Sequence, residues 1–316
     1  MQSQRYVAAD WGTSNLRLYL LEQSGESFEL VDNRNGPGVS QVNREFDDVF
    51  FDLVDGWIGD NQKMPIIISG MVGSSIGWKE APYLACPVDG AKIAAGRVHF
   101  ESRNRKINIV AGLSTVNPLG YPDVMRGEEL QLLGWMHRHP EVRQETRLFV
   151  LPGTHNKWVL MRAGHIDTFL TALTGELFGL LRQHSVLITT DQWMDIDKAS
   201  FLDGLATISE LGDARMLHAL FTTRSRQLFG DLEPNHAASY LSGLLVGSDV
   251  IGGYKLFKKQ NPELEGATLI GDSRLAECYK LAFEYHDIPL RVCESTNTTL
   301  AGYSVVFDHL SQSPND

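Results

Sequence analysis

Two short polar turns, each framed by apolar runs, hold the residue types that phosphate chemistry needs. The first is Asp10-Trp11-Gly12-Thr13-Ser14-Asn15, between Val7-Ala8-Ala9 and Leu16-Arg17-Leu18-Tyr19-Leu20. The second is Pro152-Gly153-Thr154-His155-Asn156-Lys157, between Leu148-Phe149-Val150-Leu151 and Trp158-Val159-Leu160-Met161. In each, a Gly lets the backbone approach a ligand closely, while hydroxyl, amide and backbone N–H donors collect at the tip. Donors gathered this way can cradle phosphate. Asp10 ends the first apolar run, where a single carboxylate can hold Mg²⁺ through water. Lys157 follows the second turn, where a cation can reach a terminal phosphate. One Gly-Thr-x-Asn fits a solvated hairpin tip equally well. Two copies, about half a chain apart, point to two halves facing each other across a cleft.

A cluster of carboxylates precedes the second turn: Asp123-Val124-Met125-Arg126-Gly127-Glu128-Glu129. Acids opening a helix can simply balance its macrodipole. Their place just before the second turn makes Glu128, Glu129 and Asp123 candidates for a catalytic carboxylate. A third feature is Gly70-Met71-Val72-Gly73-Ser74-Ser75-Ile76-Gly77-Trp78-Lys79, directly after Pro65-Ile66-Ile67-Ile68-Ser69. It contains neither a Walker A motif nor Gly-x-Gly-x-x-Gly. A Gly-rich loop at the carboxyl end of a buried strand is still where open α/β sheets bind ligands, which makes it a candidate substrate loop. Last, Thr268-Leu269-Ile270-Gly271-Asp272-Ser273 reads as a strand, a Gly and a helix start, leaving free N–H groups against which a nucleotide can lie.

The elements that must position these groups follow from hydrophobic period. Both turns read as hairpin tips, and residues 27–33 supply a third strand closed by an Asn35-Gly36-Pro37-Gly38 loop. Residues 45–56 carry Phe46, Val49, Phe50, Leu53 and Val54 at helical spacing. Residues 65–69 and 107–111 read as buried strands, and a polar loop is expected from there to Pro122. Leu130, Leu133 and Met136 give the acidic segment an apolar helix face. Residues 166–171 read as a strand, followed by a helix that Thr174 can cap. Several helices are expected over 185–236. Residues 240–250 form a small-residue helix suited to close packing at a domain interface, its glycines there for packing. A helix over 275–285 (capped by Ser273), a strand over 288–292 and a closing helix over 299–310 complete the pattern.

The chain has 316 residues, enough for two domains, with 43% hydrophobic and 21% charged residues, as in globular proteins. No apolar stretch approaches membrane-spanning length. Residues 1–5 run straight into the first strand, so no secretory leader is expected. Three cysteines, with no C-x-x-C, fit a reducing cytoplasm better than a disulfide framework. A net charge of −11 argues against nucleic acid as a partner, and an anionic substrate then needs locally placed cations.

The order of hairpin, acidic helix, second hairpin and strand–Gly–helix resembles the actin-like ATPase superfamily. Over nearly the whole chain it is similar to one family there, 2-dehydro-3-deoxygalactonokinase. The residues that carry this resemblance are Asp10-Trp11-Gly12-Thr13-Ser14-Asn15-Leu16-Arg17, Gly70-Met71-Val72-Gly73-Ser74, Gly77-Trp78-Lys79 and Ala81-Pro82-Tyr83. Val124-Met125-Arg126-Gly127-Glu128-Glu129, Gln131-Leu132-Leu133-Gly134 and Pro152-Gly153-Thr154-His155 with Lys157-Trp158-Val159 extend it. Leu173-Thr174-Gly175-Glu176-Leu177 and Leu241-Ser242-Gly243-Leu244-Leu245 complete the set. The resemblance implies an α/β fold of two ribonuclease-H-like domains, each with a mixed five-stranded sheet flanked by helices, and an active site in the interdomain cleft. It implies a sugar-acid side at residues 1–140 and a nucleotide side at 141–316, with the last helix able to pack back on the first domain.

The activity it implies is ATP-dependent 6-phosphorylation of 2-dehydro-3-deoxy-D-galactonate in galactonate breakdown. ATP and Mg²⁺ are then the cofactors, with no nucleic acid or membrane partner; the sequence leaves the oligomeric state open, a homodimer among the choices. By this analogy Gly12, Thr13, Ser14 and Asn15 hold the phosphates from one side, and Gly153, Thr154, His155 and Lys157 from the other. Asp10 orients the metal, and Gly271, Asp272 and Ser273 border adenosine. Glu128 is the first choice of general base, with Glu129 and Asp123 in reserve. Arg126 and Lys79, or Arg17, receive the substrate carboxylate. Gly70, Met71, Gly73 and Ser74 line the sugar, and Trp78 or Trp11 walls it. A kinase of the same fold for another sugar acid, such as 2-dehydro-3-deoxygluconate, and a non-catalytic sugar sensor are the alternatives.

Overall fold

The computed structural model describes residues 4–24, 27–59, 61, 63–142, 144–190, 195–212, 215–271 and 274–312. In the first half, β1 (Gln4–Trp11), β2 (Asn15–Ser24) and β3 (Ser27–Pro37) form an antiparallel meander. After α1 (Phe46–Ile58), β4 (Ile66–Ser69) runs parallel to β1. Then come β5 (Tyr83–Ala85), β6 (Val88–Asp89), α2 (Gly90–Ala95), β7 (Arg97–Ser102) and β8 (Arg105–Val110). β9 (Gly112–Val116), β10 (Pro122–Met125) and α3 (Glu128–Arg138) close this half. The second half repeats the scheme with β11 (Arg147–Leu151), β12 (Asn156–Arg162) and β13 (His165–Ala172). Helices α4 (Thr174–His184), α5 (Lys198–Leu211), α6 (Met216–Phe229) and α7 (Ala237–Gln260) follow. The chain ends on β14 (Ala267–Ile270), α8 (Arg274–Tyr285), β15 (Leu290–Cys293) and α9 (Ser295–Gln312).

The two large sheets run β3-β2-β1-β4-β8-β7 and β15-β14-β11-β12-β13-β6, and β10-β9-β5 form a small third sheet. In each large sheet the first hairpin supplies the central strand, and a parallel strand joins it on the far side. That shared 3-2-1-4-5 order is the mixed α/β arrangement expected from the sequence. Each sheet has one strand beyond the expected five, β7 in the first and β6 in the second. Tyr6 to Ala9 and Ile66 to Ile68 are fully buried, because helices cover both faces of these strands.

The halves interlock. β6, from within residues 1–140, pairs with β13 at the edge of the second sheet. In return α9, from the far end of the chain, packs on α3 and on the first sheet. There Tyr6 stacks on Phe307 at 4.3 Å and Tyr303 meets Ser69 Oγ at 2.7 Å. The α3–α9 crossing is close enough that a Cβ on Gly134 would lie 1.8 Å from Thr298 O.

Several local expectations change. β3 continues through Gly36 and Pro37, pairing with Leu16 and Asn15, where a loop was expected. The stretch after residue 111 holds β9 and β10 rather than a loop, because their strands pair with each other and with β5. Asp123 therefore sits on β10, five residues before α3 begins at Glu128. Thr174 does not cap α4: the N-cap is Leu173, and the Thr174 hydroxyl donates to Asp249 instead. The glycines of α7 pack within the second half, where a Cβ on Gly243 would lie 2.0 Å from Phe201 O of α5. No helix among the described residues is long and apolar enough to cross a membrane.

Candidate active site

A crevice of about 420 Å³ is lined by both turns at once: Gly12, Thr13, Ser14 and Asn15 on one side, Gly153, Thr154 and His155 on the other. Asp10, Arg17, Ser69, Met71, Tyr83, Arg126, Glu128, Gln131, Lys157 and Thr299 complete most of its wall. Local hydrogen bonds shape each turn. Gly12 N–H donates to Asn15 O at 2.9 Å, and the chain after β3 braces the same tip. Val39 N–H donates to Gly12 O at 3.0 Å, and Ser40 donates to Thr13 O through its N–H (3.1 Å) and its hydroxyl (2.8 Å). In the second turn Gly153 N–H donates to the side-chain Oδ1 of Asn156 at 2.7 Å. The glycine amide of each turn is thus engaged inside the turn. Among the described residues nothing accepts from the backbone N–H of Thr13, Ser14, Thr154 or His155, all of which are exposed. These are the donors left for an anion.

The second turn rests on a network that the sequence does not reveal. Asn156, fully buried, donates through Nδ2 to Asp249 Oδ2 at 2.9 Å and also to Tyr279. Asp249, on α7, further accepts from Trp158 Nε1 at 2.9 Å, Thr174 Oγ1 at 3.0 Å and the Tyr279 hydroxyl. Burial and the Asp249 charge hold the Tyr279 phenol well above its ordinary pKa. No local pattern marks Asp249, since its partners lie between 30 and 93 positions away in sequence.

At the start of α3, two neighbouring carboxylates diverge. Glu128 faces the crevice; its Oε1 is 3.2 Å from Lys157 Nζ, and its Oε2 accepts from Arg126 N–H at 3.2 Å. Lys157 also donates to His155 O at 3.0 Å and is only 5% exposed, so this ion pair ties the two halves together across the crevice. Glu129 turns inward and is fully buried, its Oε2 accepting from Gly127 N–H at 2.7 Å and its Oε1 without a partner. Burial, reinforced by the Glu128 charge, pushes its carboxyl up to about 8. Gly127 (φ 112°) and Gly70 (φ 91°) meet where α3 passes the β4 loop, both in the region glycine favours. A Cβ on Gly70 would lie 2.7 Å from Trp11 O. On the opposite wall, Asp10 lies 3.3 Å from Arg17. Burial raises the Asp10 carboxyl more than Arg17 lowers it, and Glu128 adds to the rise.

Other candidate residues lie elsewhere. Asp123 accepts from the Thr171 hydroxyl (2.6 Å) and N–H (2.9 Å), so its carboxylate pins β10 to β13 outside the crevice. Trp78 packs edge-on against Trp11, Phe51 and Phe100 and tilted against Phe50, and the fully buried Trp11 joins it in that core. Lys79 is exposed and lines none of the crevice. Of residues 70–74 only Met71 reaches it: Gly70 is the crossing point, Gly73 is buried against Arg126, and Ser74 bonds Met71 O at 2.7 Å. Arg126 lines the crevice, yet its guanidinium is buried. It lies 4.3 Å from the Tyr83 ring centroid and donates to Ala81 O at 2.8 Å, leaving Nε and Nη1 without partners. Gly271 ends β14, its N–H on Cys293 O at 3.1 Å, and borders neither the crevice nor the pocket beside it. Asp272 and Ser273 lie outside the described residues. That second pocket, about 380 Å³, shares Gly153 and Thr154 with the crevice and continues along Gly175, Phe178, Leu245, Val246, Arg274 and Leu275.

A polar crevice lined by two Gly-Thr turns, Lys157, Asp10 and Glu128, next to an apolar pocket that shares Gly153 and Thr154 with it, suits a nucleoside triphosphate. Comparison with known proteins gives the family. The family profile described as 2-keto-3-deoxy-galactonokinase matches residues 10–306. The 2-dehydro-3-deoxygalactonokinase of Escherichia coli (strain K12) is 33% identical over 285 residues, covering 89% of each chain. A Rhizobium meliloti (strain 1021) protein named probable 2-dehydro-3-deoxygalactonokinase is 31% identical over 305 residues, covering 95% of each. A Sinorhizobium meliloti protein, solved under the 2-dehydro-3-deoxygalactonokinase name, superposes with a TM-score of 0.82 at 30% identity over 96% of both chains. The chain belongs to the 2-keto-3-deoxy-galactonokinase family of sugar-acid kinases.

Proposed function

We propose that the crevice transfers the γ-phosphoryl group of ATP to the 6-hydroxyl of 2-dehydro-3-deoxy-D-galactonate, giving ADP and the 6-phosphate. The observation that carries this reading is that Thr13, Ser14, Thr154 and His155, whose backbone N–H groups have no acceptor among the described residues, line one crevice together with Glu128 and Lys157. Phosphoryl transfer needs positioning and charge neutralisation more than covalent chemistry, and these groups supply both. The triphosphate lies between the turns, with Asn15 and Gly12 at its edge. Adenosine takes the apolar pocket beyond Thr154, on the side of residues 141–316, and the sugar acid takes the side of residues 1–140.

Glu128 is the general base. Its carboxylate takes the proton of the attacking hydroxyl as the new O–P bond forms and the bond to the ADP oxygen breaks. Lys157, 3.2 Å from Glu128, is drawn to the incoming γ-phosphate, which leaves Glu128 free for the sugar hydroxyl. The donor set fits Mg²⁺ that arrives on the phosphates, since that ion needs only one or two carboxylates and keeps its waters; Asp10 would hold it and charge neutralisation is what it would supply. Glu129, buried on the Gly127 amide, holds the turn that presents Glu128. Arg126 is the cation set aside for the substrate carboxylate, with Tyr83 as its cover.

A coupled assay of ADP release across a panel of 2-keto-3-deoxy acids and plain hexoses tests the reading. Turnover confined to the galactonate-derived acid is expected. Turnover of the gluconate-derived acid alone moves the substrate to its stereoisomer, and no ATP-dependent turnover of any member overturns the proposal.

A further inference from the structure

We propose that Asp249 is the positioning residue of the second turn, setting the affinity for the nucleotide without touching it. Its carboxylate is a shared acceptor for donors from three other elements: Asn156 and Trp158 on β12, Thr174 on α4 and Tyr279 on α8. The one that matters for the site is Asn156. With both Nδ2 hydrogens taken by Asp249 and Tyr279, its Oδ1 can point only at the Gly153 amide, which it accepts at 2.7 Å. That bond draws the Gly153 amide into the turn, and the N–H groups of the next two residues, Thr154 and His155, which line the crevice, are left without an acceptor among the described residues. The Thr174 contact at 3.0 Å fixes the start of α4 on the same carboxylate. There Glu176 N–H donates to Thr154 O at 2.9 Å and holds the turn from its other end.

An anion under a phosphate site would oppose binding if its charge reached the ligand. Here four neutral side chains donate to it, which stabilises the charge where it lies and makes its orientation of Asn156 the part that shapes the turn. An amide in its place keeps the shape but puts an NH₂ against groups that are themselves donors. The Asn156 side chain then loses its fixed orientation. Losing well-aimed hydrogen bonds to a charged phosphate costs about 10- to 100-fold in affinity.

The inference rests on the second turn holding the ATP phosphates, and the experiment separates the two. Wild type and Asp249→Asn are compared for KM of ATP, KM of the sugar acid, kcat and equilibrium binding of ADP, with melting temperature as the fold control. The expected result is a KM for ATP and a Kd for ADP raised about 10- to 100-fold, with the KM of the sugar acid unchanged. A folded Asp249→Asn with unaltered ATP and ADP affinity overturns the inference, as does a loss of kcat alone. Should Asp249→Asn fail to fold, Tyr279→Phe removes one donor and leaves the lining of the adenosine pocket unchanged. It is expected to weaken ADP binding by a smaller factor, and unaltered ADP binding overturns the inference equally. Wild type that releases no ADP and binds none is a failure of the phosphate reading itself.

Discussion

Glu128 and Glu129 are neighbours with opposite fates, set by which side of α3 each leaves. Glu128 keeps an open route to the crevice and an ion pair at 3.2 Å, while Glu129 is sealed beneath the Gly127 turn. Glu128→Gln removes the carboxylate proposed as proton acceptor and keeps the shape. It is expected to lower kcat by about 10²- to 10⁴-fold with ADP binding retained, as single-turnover and binding measurements would show; a near-normal kcat would move the base elsewhere. Glu129 gives a pH signature. Its carboxyl is pushed from 4.5 in the unfolded chain to about 8 in the fold. Between those values the folded state keeps a proton that the unfolded state has lost, so this stability is full below the window and falls as pH rises through it. Asp10 is shifted in the same direction and adds to the slope. Glu129→Gln is expected to fold and to flatten the fall in melting temperature from pH 5 to about 8, without the kcat loss of Glu128→Gln.

At the scale of elements, the two hairpins were legible because Val7-Ala8-Ala9 and Leu148-Phe149-Val150-Leu151 are apolar runs broken by Gly and small polar residues. Their braces were not. Gly38 reads as the end of a loop, yet Val39 and Ser40 directly after it clamp the first tip through Gly12 O and Thr13 O. A Cβ on Gly38 would lie 2.3 Å from Thr13 O and from Ser14 C, against backbone that cannot swing aside. Gly38→Ala is therefore expected to shift the first tip at a cost of about 1–3 kcal/mol and to weaken ATP binding. Calorimetric titration with an ATP analogue, run alongside a thermal melt, checks both. Asp123 shows the same limit from the other direction. Three acids close together in sequence looked like one cluster, but a strand and a turn separate them, and its carboxylate serves Thr171 on β13.

At the scale of the molecule, the far end of the chain completes the first half. α9 lies on α3, with Tyr303 on Ser69 and Thr299 in the crevice wall, so the helix that presents Glu128 is held from behind by the last helix of the chain. Gly134→Ala would place a Cβ 1.8 Å from Thr298 O and force these helices apart. Melting temperature and kcat are expected to fall together, since the same contact supports the core and the position of Glu128. A loss of stability with unchanged kcat would show that α3 is held by its own half alone.

By itself the sequence determined the α/β class, the paired Gly-Thr turns, the acidic helix start and the family, because each is a local pattern of apolar period and small polar residues. Tertiary structure alone decided which acid faces the crevice, that Trp78 belongs to the core, that Lys79 faces solvent, and that Asp249 shapes a turn 93 residues before it. Local patterns are fixed by neighbours a few positions apart. A side chain's partners, and so its chemistry, depend on elements that meet only once the chain has folded.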